Sequence, residues 1–363
     1  MTSHQENILI LSNSNWNTIN FRKSFISHLQ KKGNVYVGCY LNQEKIEIEG
    51  VNFVEFNNLS RNTISIKEML SYIKSLLRVI KNNDITSIYV FTFYLSALSL
   101  IIRFFRASKG IRIKAIITGL GKLYTSRNSL LNAIFYCGVI LLKKADTIVV
   151  QNEFDRQLLA RYIPSNRIEL VPGSGVSLNN TNIEPTLKTL SESFTFCYVG
   201  RLLKSKGIDL IVEGFRLYLN DFPNDKLIIV GDYDSNDKQF RINQSEKNII
   251  TFGWSNNVSE IFGKSHGTLL MSDREGMPKS LLESLSNSTP IIAYGAPGVI
   301  DIYSYAGSNE IGVVVEERNA KSLSNALRHF RMQDYDNYIN MGRNARRLVE
   351  EVFSEEIINQ KLE

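Results

Sequence analysis

The chain has 363 residues, too long for one ordinary hydrophobic core and about right for two domains. Its composition, 43% hydrophobic and 21% charged, excludes a disordered or fibrous protein. The net charge of +6 is unevenly spread: residues 1–175 carry 22 Lys+Arg against 11 Asp+Glu, and residues 176–363 carry 20 against 25.

Residues 7–11 (NILIL) read as a first strand; the short apolar run and lack of a basic leader argue against a signal peptide. Phe21, Phe25 and Leu29 repeat at four-residue spacing and predict a helix over 20–32. A strand over 35–39 and a helix over 66–82 follow. Strands are then expected at 87–91, 115–118 and 147–150, with helices near 95–107, 129–144 and 153–162. The most apolar stretches, 88–105 and 130–142, are interrupted or short of the roughly 20 residues that span a bilayer. They read as buried strand and helix.

The turn-rich run PGSGVSLNNTNIEPTLKTLSES at 172–193 marks a linker. Beyond it, strands are expected at 194–199, 226–230, 249–252, 268–271, 290–294 and 312–315. Helices are expected at 208–219, 257–264, 279–287 and 320–331, with a charged helical stretch over 336–362. Strands alternating with helices imply parallel sheets covered on both faces. The domain reading is an N-terminal unit over 1–175, a linker over 176–193, a second unit over 194–340 and a C-terminal helix over 341–363 that packs back toward the first unit. Ligands of such sheets bind beyond the carboxyl ends of the strands, so two units would face each other across a cleft.

The segment YVGRLLKSKGID at 198–209 carries the clearest chemistry. Gly200 lets backbone come close to a ligand, and a helix opening at Gly207 offers unpaired N–H groups to an anion. Arg201 suits a planar fork on phosphate oxygens, and Lys206 a point charge. The same residues would equally make a solvated basic turn. In SDREGMPKSLLE at 272–283, Glu275 lies on a loop, Pro278 opens a helix and Glu283 falls about one turn inside it. Two acceptors near a helix N-terminus suit sugar hydroxyls, while a pair of dipole-stabilised surface carboxylates is the plainer alternative.

Taken together, G-R-L-x3-K-G at 200–207 and E-x7-E at 275–283 resemble the nucleotide-sugar half of family-4 retaining glycosyltransferases of the GT-B fold. LIIVGD (227–232), FGW (252–254) and TPIIAYGAPGVID (289–301) extend the resemblance over the C-terminal half. More loosely, NTINFRKSFISHLQKKG, IITGLGKLYTS, ADTIVVQNEFDRQLL and VPGSGV resemble the bacterial branch that adds sugars to lipid-linked oligosaccharides of O-antigen, capsule and other glycans.

The resemblance implies an α/β GT-B architecture of two Rossmann-like, doubly wound parallel-sheet domains. It implies transfer of a hexose or N-acetylhexosamine from a UDP-sugar to a polyprenyl-diphosphate-linked saccharide, with anomeric configuration retained and no metal cofactor. Arg201 and Lys206 would hold the departing diphosphate, with Glu275 the third catalytic residue. Glu283 would bind the ribose, and the backbone of Gly276, Met277, Pro278 and Lys279 would face the donor sugar with Glu275. Gly200, Gly231 and Trp254 would line the nucleotide. Two departures concern the first loop, SNSNWNTIN, where relatives carry a Gly-Gly pair, and 118–121, where many carry a His. Asn20, Arg22, Thr118, Gly119 and Gly121 are the acceptor-side candidates in their place. A UDP-sugar epimerase, a transferase to a free acceptor and a non-catalytic nucleotide-sugar-binding subunit are the competing functions.

Asp232-Tyr233-Asp234 spells D-x-D, a metal signature of another glycosyltransferase fold, but in this polar run it reads as a solvated turn. Nine Lys/Arg against one acid over 101–150, interleaved with Phe, Ile and Leu, suggest an anionic membrane surface as partner, at the cytoplasmic face. A solvated face over buried helices is the alternative. No helix-turn-helix, zinc-finger or RNP-like pattern points to nucleic acid.

Overall fold

A computed structural model describes residues 6–39, 48–56, 65–120, 129–178, 193–233, 242 and 246–363. The chain divides into unit 1, Met1–Ser174 with Ile358–Glu363, and unit 2, Gly175–Ile357.

In unit 1 the elements run β1 (Glu6–Leu11), α1 (Asn15–Leu29), β2 (Gly33–Cys39), β3 (Val51–Glu55), α2 (Ile66–Asn82), β4 (Ser87–Phe91), α3 (Phe93–Leu100), β5 (Arg112–Ile117), α4 (Ser129–Leu142), β6 (Thr147–Val150), α5 (Glu153–Ala160) and β7 (Ile168–Leu170). All pair in parallel, in the order β3-β2-β1-β4-β5-β6-β7. Buried strand residues such as Ile8, Ile10, Val35, Val37 and Ile116 meet Phe25, Ile26 and Leu29 of α1 on one face. The other face is covered by α2 to α5, through Leu76, Leu98, Phe135 and Leu159.

Unit 2 runs β8 (Thr195–Val199), α6 (Ile208–Leu219), β9 (Lys226–Val230), β10 (Ile249–Phe252), α7 (Val258–Lys264), β11 (Gly267–Leu270), α8 (Lys279–Ser286), β12 (Ile291–Tyr294), α9 (Val299–Ala306), β13 (Gly312–Val315), α10 (Ala320–Arg331) and α11 (Tyr335–Leu348). Its sheet order is β10-β9-β8-β11-β12-β13, also all parallel. Each sheet therefore reverses its winding at one place, between β1 and β4 in unit 1 and between β8 and β11 in unit 2. Open α/β sheets bind ligands at that switch point.

Several local expectations are corrected. Helix α1 begins five residues before the expected 20, because the Ser14 hydroxyl accepts the Asn17 N–H at 3.2 Å and caps it there. The helix expected over 95–107 ends at Leu100 and gives way to two 3₁₀ turns, Ile101–Phe104 and Arg106–Ser108. Strands β3 and β7 and helix α9 were not expected: the strands are short pieces at the sheet's edges, and α9 hides behind the turn residues GAPG. Nor is 341–363 one helix. A π-helical turn, Val349–Phe353, separates α11 from α12 (Glu355–Leu362). Residues 341–357 belong to unit 2; Ile358 and Leu362 enter the unit 1 core beside Phe25 and Tyr89.

No helix among the described residues is long and apolar enough to cross a membrane.

Candidate functional site

The two motif loops of unit 2 follow β8 and β11, the neighbouring strands on either side of the switch point. Gly200 leaves β8 and its N–H donates to the Val230 carbonyl at 3.0 Å; Leu202 N–H donates to the Asp232 carbonyl at 2.9 Å. The chain then makes a 3₁₀ turn at Lys204–Lys206 and enters α6 through Gly207 in the left-handed region, φ +72°. The N-cap residue of α6, Gly207, has no side chain to cap it, which leaves the first N–H groups of α6 suited to an anion.

Two glycines are required by close packing. A β-carbon at Gly207 would lie 2.3 Å from the Met271 carbonyl oxygen, and one at Gly231 1.9 Å from that of Gly200. The backbones of the loops that follow β8, β9 and β11 thus touch where only hydrogen fits.

On the other side, Glu275 N–H donates to the Pro297 carbonyl at 3.2 Å, and Gly276 lies against Gly298, which opens α9. The loop from 271 to 278 is therefore bordered by the N-terminal ends of α6, α8 and α9. The ammonium of Lys206 is ion-paired with the Glu275 carboxylate, both largely withdrawn from solvent. Lys279 and Glu283 pair one turn apart at 3.6 Å. The Glu283 carboxyl is held above its ordinary range, first by desolvation, with the Lys279 ammonium opposing and Glu355 adding repulsion. Tyr198, whose hydroxyl donates to the Arg201 carbonyl at 2.7 Å, has its phenol pushed far up by burial and the Glu275 charge.

The structure brings together Gly200, Arg201, Lys206, Gly231, Glu275 and Gly276. Met277 turns its side chain into the core and Pro278 is buried, so these two offer backbone only. Trp254 is 54% exposed at the end of β10, and its N–H donates to Asp232 at 3.2 Å. Asp232 is thereby engaged in the loop scaffold, while Asp234 lies outside the described residues. Among the described residues no cluster of three metal-ligating side chains occurs.

One residue escaped sequence reasoning. Arg318 donates from Nε to the Met271 carbonyl at 2.8 Å and from Nη2 to those of Lys204 and Ser205 at 3.1 and 3.3 Å. It ties the Lys206 turn to the end of β11. Nothing in EERNAK marks it, because its partners are carbonyls more than forty residues away.

The described acceptor-side candidates lie on two elements of unit 1, Asn20 and Arg22 on α1 and Thr118 and Gly119 after β5. Arg22 is buried eight residues into α1, not near its start; Asn20 donates to the Trp16 carbonyl at 2.8 Å. Thr118 and Gly119 follow β5, where Leu120 N–H donates to the buried Asp155 at 3.3 Å. Gly121 lies outside the described residues.

Among the basic residues of 101–150, Arg103 pairs with Asp146, Arg112 with Glu6 and Lys114 with Glu169. The count of nine bases against one acid therefore overstated the local field, since other strands of the same sheet bring two further acids. Lys144 lies 5.6 Å from the Phe104 ring. Phe104, Phe105, Tyr136 and Ile140 are exposed.

Comparison with known proteins agrees with this architecture. Residues 180–348 match the family model for glycosyl transferases group 1. The chain is similar to the capsular polysaccharide biosynthesis glycosyltransferase CapM of Staphylococcus aureus (24% identical over 189 residues, 51% of this chain and 49% of CapM). It is also similar to the UDP-Gal:alpha-D-GlcNAc-diphosphoundecaprenol alpha-1,3-galactosyltransferase of Escherichia coli (26% over 220 residues, 56% of each). These matches span about half the length of the curated relatives. Among solved structures, HepE of Anabaena in complex with UDP and glucose superposes with a TM-score of 0.75 at 14% identity, covering 97% of both chains. Sucrose-phosphate synthase of Thermosynechococcus elongatus gives 0.75 at 16% identity, covering 98% and 97%. The fold is that of GT-B glycosyltransferases, and the C-terminal half is similar to glycosyl transferases group 1.

Two stability predictions follow from this geometry. Gly207→Ala meets both a positive φ and a backbone clash, and urea unfolding should show a loss of about 1–3 kcal/mol or more. Glu283 has a raised native pKa, so its favourable contribution is present below the ordinary carboxylate value and lost as pH rises through the native one. Thermal unfolding between pH 4 and 7 should find Glu283→Gln increasingly more stable than the parent as pH rises.

Proposed function

We propose that the chain transfers a hexose or N-acetylhexosamine from a UDP-sugar to a polyprenyl-diphosphate-linked saccharide, with retention, in bacterial surface polysaccharide synthesis. The observation that carries this reading is the Lys206–Glu275 ion pair at the switch point of unit 2, beside the uncapped N-terminus of α6. A cation held by an exchangeable carboxylate, next to free helix N–H groups, is a ready receptor for a diphosphate.

On this reading the donor diphosphate takes Lys206 from Glu275 and is shared with Arg201. The bond between the sugar's anomeric carbon and the diphosphate oxygen breaks as an acceptor hydroxyl oxygen bonds to that carbon on the same face. The hydroxyl proton passes to the departing diphosphate. Arg201, Lys206 and the N–H groups of α6 stabilise the charge that builds on the leaving oxygen. They supply positive charge locally, and we propose that the reaction needs no metal. Glu275, released, faces the donor sugar with the backbone of 276–279; Glu283 takes the ribose hydroxyls. Gly200, Gly231 and Trp254 line the nucleotide. Arg318 positions Lys206 through the carbonyls of its turn.

The acceptor reading is supported by the activity for which the E. coli relative is named and by the surface of unit 1. Exposed Phe104, Phe105, Tyr136 and Ile140, with Lys143 and Lys144 at the end of α4, combine apolar and basic groups as an anionic leaflet requires. The protein would work at the cytoplasmic face of the membrane.

Lys206→Ala should lower turnover of UDP-sugar by about a hundredfold or more, as loss of a charge-stabilising donor does, while circular dichroism stays that of the parent. Arg318→Ala should reduce kcat more than it raises KM for the donor. Full activity of Lys206→Ala overturns the site. Flotation with phosphatidylglycerol vesicles at low salt should carry the protein upward and fail at high salt; no flotation at low salt favours a soluble acceptor instead.

A further inference from the structure

The switch point of unit 1 lies between β1 and β4, and it holds a charge that nothing in the described chain neutralises. Arg22 is only 6% exposed. Helical side chains point back toward the helix N-terminus, and its guanidinium carbon stands 3.9 Å from the ring centroid of Phe91, the last residue of β4. Nη1 donates to the Ser174 hydroxyl at 2.6 Å and to the Phe21 carbonyl at 3.3 Å. Nε has no partner among the described residues. Just past β1, whose last residue Leu11 pairs with Val90 next to Phe91, the Ser12 hydroxyl is 1% exposed and also without a partner among the described residues.

Other buried or partly buried arginines of the chain are treated differently. Arg331 stacks on Phe194 and has Asp225 at 3.4 Å; Arg103 has Asp146. Arg22 forms no ion pair among the described residues, and burial pushes its guanidinium down to about 9. Two ring faces, Phe91 at 3.9 Å and Phe21 at 5.9 Å, and two neutral acceptors return less than the desolvation of a whole charge takes. A buried cation without a counter-charge, close to a buried hydroxyl without a partner, is an arrangement that an anion would complete.

We propose that unit 1 carries an oxyanion site of its own, at Arg22 and Ser12, that takes a phosphate or diphosphate group. Ser174 orients the guanidinium from the PGSG turn, and the Ser12 hydroxyl donates to the same anion. The inference goes beyond the sugar-transfer reading, because it stands on unit 1 alone. If that reading holds, the diphosphate of the lipid-linked acceptor is the natural occupant.

The test uses the full chain with Arg201→Ala/Lys206→Ala, which silences the unit 2 diphosphate receptor. Isothermal titration with inorganic pyrophosphate at low ionic strength should give one site, weakened at least tenfold by a further Arg22→Gln and severalfold by Ser12→Ala. Tenfold tighter binding of farnesyl diphosphate assigns the site to a lipid-linked diphosphate, and equal binding assigns it to a free one. Without anion, Arg22→Gln should unfold at the same or a higher temperature than its parent, since it removes an unneutralised charge. Absence of pyrophosphate binding in the double variant overturns the proposal, and so does undiminished binding in Arg22→Gln. A lower unfolding temperature for Arg22→Gln, together with no pyrophosphate binding, leaves Arg22 a packing residue.

Discussion

The ion pair between Lys206 and Glu275 joins the two loops on which the rest of the unit 2 site depends. These loops leave adjacent strands, β8 and β11, at the one place where the sheet reverses its winding, so the chain has no covalent reason to keep them in register. The pair does so electrostatically, with Arg318 and the Asp273 N–H fastening the neighbouring carbonyls. A partly buried ion pair recovers little net stability, because desolvation offsets most of the attraction. Its cost to exchange is correspondingly small. An anion that offers Lys206 two oxygens in place of one carboxylate can displace Glu275 without dismantling the loops.

The acidic balance of residues 176–363, 20 Lys+Arg against 25 Asp+Glu, is consistent with anion binding once that binding is local. Within one helical turn the field is set by Arg201, Lys206 and three helix N-termini, and distant carboxylates are screened. Unit 1 shows the opposite case. Its basic surplus is partly neutralised by Glu6, Asp146 and Glu169, yet at its switch point Arg22 has no counter-charge among the described residues. The two sheets thus share a topology and differ in how they hold a cation at the same topological place, one paired and one not.

Much of this was legible in the sequence where local chemistry decides. Helices α2, α6 and α10 and strands β9, β10 and β13 fall on the expected residues because apolar periodicity and turn signals agree there. The start of α1 was missed because Ser14 caps a stretch whose first residues, NWNT, lack an apolar stripe. Helix α9 was missed because Gly-Ala-Pro-Gly reads as a turn, although Asp301 returns to the Gly298 N–H and starts a helix. Motif spacing singles out Arg201, Lys206, Glu275 and Glu283 as candidates, and the structure sets Lys206 against Glu275 and Glu283 against Lys279. Spacing could not find Arg318, whose role lies in reaching carbonyls of distant loops, nor foresee that Arg22 is buried, since burial depends on which face of α1 meets Phe91.

On the proposed function, the unit 2 switch point receives a nucleoside diphosphate as Lys206 exchanges from Glu275 to it. The direct measurement is a crystal structure of the full chain with UDP. The diphosphate is expected against Arg201 and Lys206 at the N-terminus of α6, with the ribose on Glu283 and Glu275 released. A diphosphate bound elsewhere, with Lys206 still paired to Glu275, would contradict it.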